Sequence, residues 1–224
     1  VAIAHGYAKA AGRPMAAALH NIVGLQHASM AIFNAFCDEA PVMLIGGTGP
    51  VDAAHRRPFI DWVHTALVQG TQVRDYVRWD DQPASYEAAI ESLIRADRIA
   101  RAEPPGPVYV CIDTEIAEAE VDPKASLPDL ARFPAARPPA ADPAALAEAA
   151  NWLAGARSPI AVADLMGRSV AAVRALAGLA EHLGMPVLDL GARFNFPSSH
   201  PLDWTVASDG GASPDVALLL DVID

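Results

Sequence analysis

Short apolar runs and stretches of helical periodicity alternate along the chain. In residues 15–47, an apolar run at 15–19 precedes a polar loop, a segment of helical spacing and a second apolar run at 42–45. Strand, loop, helix and strand predict a right-handed βαβ unit, whose loop lies at the carboxyl end of the first strand. Open α/β sheets bind ligands at that end, so we expect any chemistry to begin there. The apolar positions of the helix are Leu25, Ala28, Ile32 and Phe36.

The rest of the chain continues this alternation. Predicted helices cover residues 1–11, 59–67, 83–102, 142–153 and 169–183. Predicted strands cover residues 72–77, 108–112, 159–163, 186–190 and 216–222, with a loop at 79–82. The helix ends carry their usual signals, because Gly12 follows the first helix and Asp142-Pro143 supplies an N-cap residue and a proline.

The order of elements predicts an α/β protein with two doubly wound, mainly parallel-sheet domains. The first domain is expected over residues 1–120 and the second over residues 142–224. Residues 121–141 belong to a stretch rich in Pro, Ala and acidic residues, which indicates a linker. We expect the first domain to lack its beginning and the second its end.

Composition and charge narrow the functional classes. A formal charge of −11 argues against a surface that follows nucleic-acid phosphates. No apolar run approaches the roughly 18 residues of a membrane span, and no signal-peptide layout opens the chain. Cys37 and Cys111 lie far apart in apolar settings, which predicts buried free thiols and a cytoplasmic location. No His, Cys or carboxylate spacing indicates a zinc site, and no motif indicates a serine hydrolase.

Three segments of the first half carry a family resemblance: AIAHGYAKAAGRP, LHNIVGLQHASMAIFNAFCDEAPVMLIGG and EPPGPVYVCID. They resemble the pyrimidine-binding domain of thiamine-diphosphate-dependent enzymes of the acetolactate synthase, benzoylformate decarboxylase and pyruvate oxidase group. The second half is similar to the central domain of those enzymes through SPIAVADLMGRSVAAVRALAGLAEHLGMPVLDLGARFNFPSSHPL and DVALLLD. The resemblance therefore covers nearly all of this chain, but about two-fifths of a complete enzyme of the group.

The resemblance implies an enzyme that acts on 2-oxo acids with thiamine diphosphate and Mg²⁺. Members of the group have three α/β domains and work as homodimers or homotetramers. A lyase would decarboxylate the substrate, and a transferase would add the product to an acceptor, as acetolactate synthase does; the sequence leaves both open. A non-catalytic relative that serves in assembly or ligand sensing is the alternative.

Two functional parts of the group are expected outside this chain. The glutamate that protonates the cofactor should stand a few residues before Val1, and the Gly-Asp-Gly…Asn segment that holds magnesium belongs to the third domain. We therefore predict no metal ligand among these residues, and neither activity nor appreciable cofactor affinity for the 224 residues alone.

His20 is the sharpest catalytic candidate. Benzoylformate decarboxylase-like members have a histidine in the same Leu-His context, where it reaches the substrate. An imidazole can donate and accept a proton in successive steps, as decarboxylation requires. A histidine at a strand end can also simply bond to backbone, and the sequence leaves this structural role open.

The residues after His20 are candidates for binding cofactor and substrate. Gly24, Gln26 and His27 occupy the region in which the group has a Gly-Pro-Gly-x-x-Asn loop beside the cofactor pyrimidine. Here the first glycine, the proline and the asparagine are replaced, so His27 either takes over the hydrogen bond of the asparagine or serves as a helix-start residue. Asn21 either contacts the substrate or turns the loop.

Other segments are interpreted more simply. Residues 46–49, GGTG, lack the spacing of a phosphate cradle, so we expect a plain turn. His55, Arg56 and Arg57 could meet an anionic substrate, although a solvated loop is the simpler interpretation. For His64, the simpler interpretation is a packed or surface residue. In the second half, residues 163–168, ADLMGR, stand where relatives usually have a glycine-rich turn. The room for a nucleotide phosphate is thereby reduced, so FAD is not expected, although Arg168 and Arg193 could still hold one.

Overall fold

A computed structural model describes residues 1–206 and 213–223 of the chain. The chain divides into two compact units, Val1–Pro138 and Pro139–Asp224. Each unit has a parallel β-sheet accompanied by helices, and every strand pairing in the described residues is parallel. The predicted α/β class with parallel sheets is therefore confirmed.

The first unit contains four strands and five α-helices. In chain order they are α1 (Ala2–Ala11), β1 (Met15–Ala18), α2 (Val23–Cys37), β2 (Val42–Thr48), α3 (Ile60–Val63), β3 (Trp79–Asp81), α4 (Tyr86–Arg101), β4 (Val108–Asp113) and α5 (Thr114–Glu118). The strands lie in the order β1-β2-β4-β3, so the ends of β1, β2 and β4 are neighbours at one edge of the sheet. This edge positions the candidate site.

Apolar residues on both faces of this sheet are covered by helices, as a doubly wound sheet requires. On one face, Leu25 and Ile32 of α2 belong to the same buried cluster as Leu44 of β2. On the other face, Ala96 of α4 belongs to a cluster with Val108 of β4. Side chains alternate between the faces of a strand, so a strand that is buried on both faces is almost continuously apolar. The run at 42–45 has this character, and β2 confirms the strand predicted there.

Two neighbouring predictions in the first unit are wrong. Residues 72–77 form no strand; two short 3-10 turns, Gln69–Gln72 and Arg74–Tyr76, occupy this region. Val73 and Val77 are both buried, and their spacing of four residues is that of a helical turn rather than of a strand. The predicted loop at 79–82 instead contains β3, an edge strand held by parallel pairing with β4.

Three further details also differ from the predictions. Gly46 and Gly47 lie inside β2 rather than in a turn, since β2 runs on to Thr48 and pairs with β4 over its whole second half. Residues Thr114–Glu118 form α5, a helix that the sequence analysis did not predict; the Asp113 side chain accepts from Glu115 N and caps it. Cys111 is a buried free thiol as predicted, whereas the free thiol of Cys37 is exposed on the last turn of α2.

The described residues of the second unit contain two α-helices and three strands. Its elements are α6 (Pro143–Gly155), β5 (Pro159–Ala163), α7 (Val170–Leu183), β6 (Val187–Asp189) and β7 (Val216–Leu220). The strands lie in the order β6-β5-β7, and Leu176 and Ala180 of α7 pack with Ala161 and Val187 in its core. The predicted helices and strands of this half are confirmed to within a few residues.

No helix among the described residues is both long and apolar enough to cross a membrane.

Candidate functional site

A small pocket opens at the edge where β1, β2 and β4 end. Its volume is about 200 Å³. The predicted residues His20 and Asn21 contribute to its wall, together with residues from the loop after β2, from α3 and from the start of α5. The lining residues are His20, Asn21, Gly49, Arg57, Ile60, Asp61, His64 and Thr114.

Gln69 holds the framework of this edge together. Its side chain is 1% exposed, and its amide nitrogen donates to Asn21 Oδ1 over 2.7 Å and to the Gly47 carbonyl over 2.9 Å. Its amide oxygen accepts from the backbone N–H of Ile22 and from the Tyr109 hydroxyl, at 3.2 and 3.1 Å. One side chain therefore joins the loop after β1 to strands β2 and β4.

Tyr109 explains the glycine at position 46 of β2. The Tyr109 ring lies over Gly46, where an added Cβ would come within 2.7 Å of ring carbons Cε2 and Cζ. Burial, assisted by the neighbouring Cys111, raises the pKa of the Tyr109 phenol far above its usual range. The hydroxyl therefore stays protonated and serves as a fixed donor to Gln69.

His20 is exposed and anchored through one ring nitrogen. Its Nδ1 lies 3.1 Å from the carbonyl oxygen of Asn21. A carbonyl only accepts, so Nδ1 carries the hydrogen and donates it. The other nitrogen, Nε2, is then the one that can accept or deliver a proton. This is the tautomer that a proton-transfer role requires, although the same bond also satisfies the structural alternative.

His64 lies against His20. The two ring centroids are 5.8 Å apart and the ring planes meet at 71°, an edge-to-face arrangement. His64 is half-buried and follows directly after α3. The sequence interpretation of His64 as a packed or surface residue did not anticipate that it faces the predicted catalytic histidine.

The segment that carries His64 is bonded to the loops around it. Thr65 Oγ1 accepts from Asn21 Nδ2 over 3.1 Å and from Gly49 N over 3.2 Å. Asp61 is 7% exposed, and its carboxylate accepts from the backbone N–H of Arg57 over 2.6 Å. Its other oxygen lies 3.6 Å from the Arg57 guanidinium. Asn21 is thus held from both sides, by Thr65 and by Gln69.

The three α2 candidates lie on the first two turns of that helix. Gly24 sits so close to the preceding loop that a Cβ would lie 3.1 Å from His20 Cβ and 3.3 Å from the Leu19 carbonyl carbon. Gln26 and His27 are exposed, and among the described residues neither has a side-chain hydrogen bond. Their amide and imidazole are therefore available to a ligand. The structure does not bring them into the pocket that His20 lines.

The cationic residues at 55–57 are engaged within this unit. The Arg56 guanidinium donates to the carbonyls of Pro50 and Val51, at 3.0 and 3.1 Å. His55 pairs with the Glu115 carboxylate, and Arg57 pairs with Asp61. These contacts favour a structural role for His55 and Arg56 over the capture of an anionic substrate, whereas Arg57 also lines the pocket beside His20.

The end of the second sheet is filled by a side chain. Asn195 is fully buried, and its Oδ1 accepts from Gly167 N over 2.8 Å. Its amide nitrogen donates to Asp189 Oδ1 over 2.6 Å. A Cβ at Gly167 would collide with the Phe194 carbonyl oxygen. The backbone N–H that could bind a nucleotide phosphate at this strand end is already bonded, and Arg168 is paired with Asp221 at 3.1 Å.

Within the described residues, no group of three or more His, Cys, Asp or Glu side chains is arranged to hold a metal ion.

Sequence reasoning missed Gln69, Tyr109 and Thr65. Gln69 lies in a segment without periodicity, and nothing in its neighbourhood distinguishes a buried amide from a surface one. The Gly46–Gly47 pair was the available signal, because consecutive glycines at the end of an apolar strand indicate close approach of another group.

Comparison with known proteins points to one class of cofactor-dependent protein. Residues 1–72 match the family model described as "Thiamine pyrophosphate enzyme, N-terminal TPP binding domain". The matched segment includes all five candidate residues, His20, Asn21, Gly24, Gln26 and His27. The predicted resemblance to thiamine-diphosphate-dependent enzymes is thereby confirmed.

Two curated relatives extend the similarity to both units. The chain is 28% identical to the probable 2-ketoarginine decarboxylase AruI of Pseudomonas aeruginosa over 83% of this chain and 32% of that protein. It is also 28% identical to benzoylformate decarboxylase of the same organism, over 89% of this chain and 37% of that protein. The chain thus spans about a third of the length of these relatives.

The fold is similar to the X-ray structure of a putative thiamin diphosphate-dependent enzyme from Mycobacterium smegmatis. The TM-score is 0.78 at 22% identity, over 97% of this chain and 42% of that one. At this identity the likeness concerns the fold, which both units of the chain share with that structure.

Proposed function

We propose that the full-length protein containing this chain is a thiamine-diphosphate-dependent decarboxylase of 2-oxo acids, and that His20 is its proton-transfer residue. The single observation that carries the assignment of His20 is the contact of its Nδ1 with the Asn21 carbonyl, from which the tautomer follows. The Nδ1–H group donates to the Asn21 carbonyl, and Nε2 is left for chemistry. The names of the two curated relatives support the reaction class.

The donor set on α2 fits the pyrimidine end of the cofactor. An aminopyrimidine presents nitrogen acceptors and an amino donor along its edge, and the exposed amide of Gln26 and imidazole of His27 can each donate and accept. Gly24 supports them, since its missing side chain lets α2 begin close against the strand end. When bound, thiamine diphosphate supplies the electron sink that decarboxylation of a 2-oxo acid requires.

The residues of this chain supply proton transfer and orientation. Loss of carbon dioxide from a 2-oxo acid leaves an electron pair on the former carbonyl carbon, and a proton must replace the carboxylate there. Protonated His20 delivers that proton from Nε2, and the exposed ring regains one from solvent. Asn21 orients the site, because its side chain is fixed by Thr65 and Gln69.

Magnesium and the diphosphate belong elsewhere in this proposal. No cluster of metal-binding side chains occurs in the part of the chain that the structure describes. We expect a complete enzyme to take its Mg²⁺ ligands and its cofactor-protonating glutamate from other segments, which homodimers or homotetramers would bring together.

The test uses the full-length protein with thiamine diphosphate, Mg²⁺ and a panel of 2-oxo acids that includes pyruvate, benzoylformate and 2-ketoarginine. We expect carbon dioxide release with at least one substrate. His20→Ala should lower kcat about 10²- to 10⁴-fold, the usual contribution of a positioned acid–base group. The matched control is His182→Ala, which removes an exposed histidine of α7. Cofactor binding without turnover of any substrate would refute the decarboxylase and favour the non-catalytic alternative.

Product analysis in the same assay separates the lyase from the transferase. A lyase releases the aldehyde, whereas a carboligase adds the same carbon to a second carbonyl compound and yields a 2-hydroxy ketone. Proton delivery by His20 supports the lyase. A 2-hydroxy ketone as main product would show that carboligation is the principal reaction.

A further inference from the structure

Among the described residues, two contacts restrain the ring of His20, and one of them comes from outside its own loop. The first is the hydrogen bond from Nδ1 to the Asn21 carbonyl. The second is the edge-to-face contact with His64, 44 residues further along the chain, with ring centroids 5.8 Å apart. We propose that His64 is the positioning residue of His20, holding the imidazole so that Nε2 remains directed to substrate; this inference rests on the proposed function.

His20 needs a second restraint. It is exposed, and a single hydrogen bond through Nδ1 still lets the ring tilt about that bond. Among the described residues, His64 supplies the one aromatic ring in contact with His20. A proton donor contributes to catalysis only while it is aligned with the reacting atom, so a freely rotating ring would lower the rate without weakening substrate binding.

His64 is itself placed firmly enough to act as a support. Its backbone N–H donates to the Ile60 carbonyl over 3.1 Å, which attaches it to the end of α3. The next residue, Thr65, accepts from Asn21 Nδ2, so the neighbours of the two histidines are bonded to each other. Residues 20 and 21 thus meet residues 64 and 65 in two adjacent contacts, one of rings and one of polar groups.

His64 meets His20 as one ring against another, with the ring planes at 71°. Its Nδ1 is buried and finds no hydrogen-bond partner among the described residues. A buried nitrogen without an acceptor is least costly without a hydrogen, so the hydrogen of neutral His64 lies on Nε2. Because the contact with His20 is ring against ring, a benzene ring of similar shape can reproduce it.

This property gives a matched pair of variants in the full-length protein. His64→Phe keeps a ring against His20, and His64→Leu removes the ring while keeping a similar apolar volume. We expect His64→Leu to lower kcat about five- to tenfold with KM unchanged. This decrease in kcat corresponds to the loss of one aromatic pair. His64→Phe should stay within about twofold of wild type. His182→Leu, on α7, is the control and should leave both constants unchanged.

A double variant tests whether His64 acts through His20. In the His20→Ala background, His64→Leu should cause no further loss, because there is no ring left to position. A full additional loss there, or a His64→Phe variant as impaired as His64→Leu, would overturn the proposal by showing that the imidazole nitrogens of His64 act directly.

A second measurement does not depend on turnover. In cofactor-free protein labelled at histidine Cε1, the NMR signal of His20 is identified by its loss in His20→Ala. His64→Leu should shift this signal and move it toward the value of a freely rotating imidazole, and His64→Phe should keep it displaced. An unchanged His20 signal in His64→Leu would overturn the proposal. If the wild-type protein releases no carbon dioxide, the proposed function fails, while this signal still decides whether His64 holds His20.

Discussion

The amide nitrogen of Gln69 donates to the side-chain oxygen of Asn21 over 2.7 Å, deep at the end of the first sheet. Gln69 is 1% exposed and forms four hydrogen bonds through its side chain. Through Asn21 and Ile22 it fixes the loop that begins at His20. The position of the candidate catalytic residue therefore depends on an amide almost fifty residues away in the sequence.

We expect Gln69→Leu to release this loop. The substitution removes the hydrogen-bond partners of Ile22 N, Gly47 O and the Tyr109 hydroxyl, and it should cost about 3 kcal/mol of local stability. Hydrogen exchange over residues 19–30, measured by mass spectrometry, should then accelerate about 100-fold. Gln72→Leu is the control, since the Gln72 amide has one described side-chain partner, Ser29 Oγ at 2.9 Å. Equal acceleration in both variants would contradict the role assigned to Gln69.

The sequence revealed those parts of the fold that repeat a periodic pattern. Helix α2 was predictable because Leu25 and Ile32 lie on one helical face and are both fully buried. Strand β3 was not, because Trp79–Asp81 has three residues, two of them acidic, and is extended only through its pairing with β4. The position of His20 just after β1 was predictable from the apolar run at 15–19, while its role stays a prediction. Gln69 and His64 were not predictable, because their importance lies in contacts across more than forty residues.

Gly46 and Gly47 give a sharp comparison inside one strand. A Cβ at Gly46 would lie 2.7 Å from ring carbons of the buried Tyr109, whereas at Gly47 the nearest atom is the Ile112 carbonyl oxygen at 3.9 Å. Gly46→Ala should therefore destabilise the protein by about 2 kcal/mol, as overpacking of a close-packed core does. Gly47→Ala should have little effect. Thermal unfolding of both variants measures the difference, and similar midpoints would show that Tyr109 moves aside freely.

Asp38 connects α1 to the end of α2 and makes stability depend on pH. Its carboxylate lies 2.5 Å from Lys9 Nζ and 2.8 Å from His5 Nε2. Partial burial alone would raise the pKa of Asp38, but the hydrogen bonds and charges of Lys9 and His5 outweigh it and lower the pKa below the ordinary value of 3.8. A lowered pKa contributes stability above the unfolded value, and this stability is lost as the pH falls through the folded value.

The Asp38→Asn variant tests this dependence. It should be less stable than wild type by about 1 kcal/mol near pH 7, as expected for a partly exposed ion pair with a second hydrogen bond. The difference should hold down to about pH 4 and shrink below it, because wild-type Asp38 then takes up a proton. Urea unfolding at a series of pH values measures it, with exposed Asp75→Asn as control. A difference that is constant down to pH 2 would mean that the carboxylate charge makes no contribution.

The second unit is expected to bind neither FAD nor ADP. A nucleotide phosphate at a strand end needs free backbone N–H groups and close approach to a glycine. Here Gly167 N already donates to Asn195 Oδ1 over 2.8 Å, and the Phe194 carbonyl covers the glycine. Asn195 cannot easily leave, since its amide is also bonded to Asp189 over 2.6 Å. The full-length protein, purified with FAD in every buffer, should show no flavin absorbance after desalting, and calorimetric titration with ADP should give no heat of binding.

Asn195→Ala is the informative variant, because it frees the Gly167 N–H group. If ADP binds wild type as tightly as Asn195→Ala, the side chain does not block the site and the prediction is wrong.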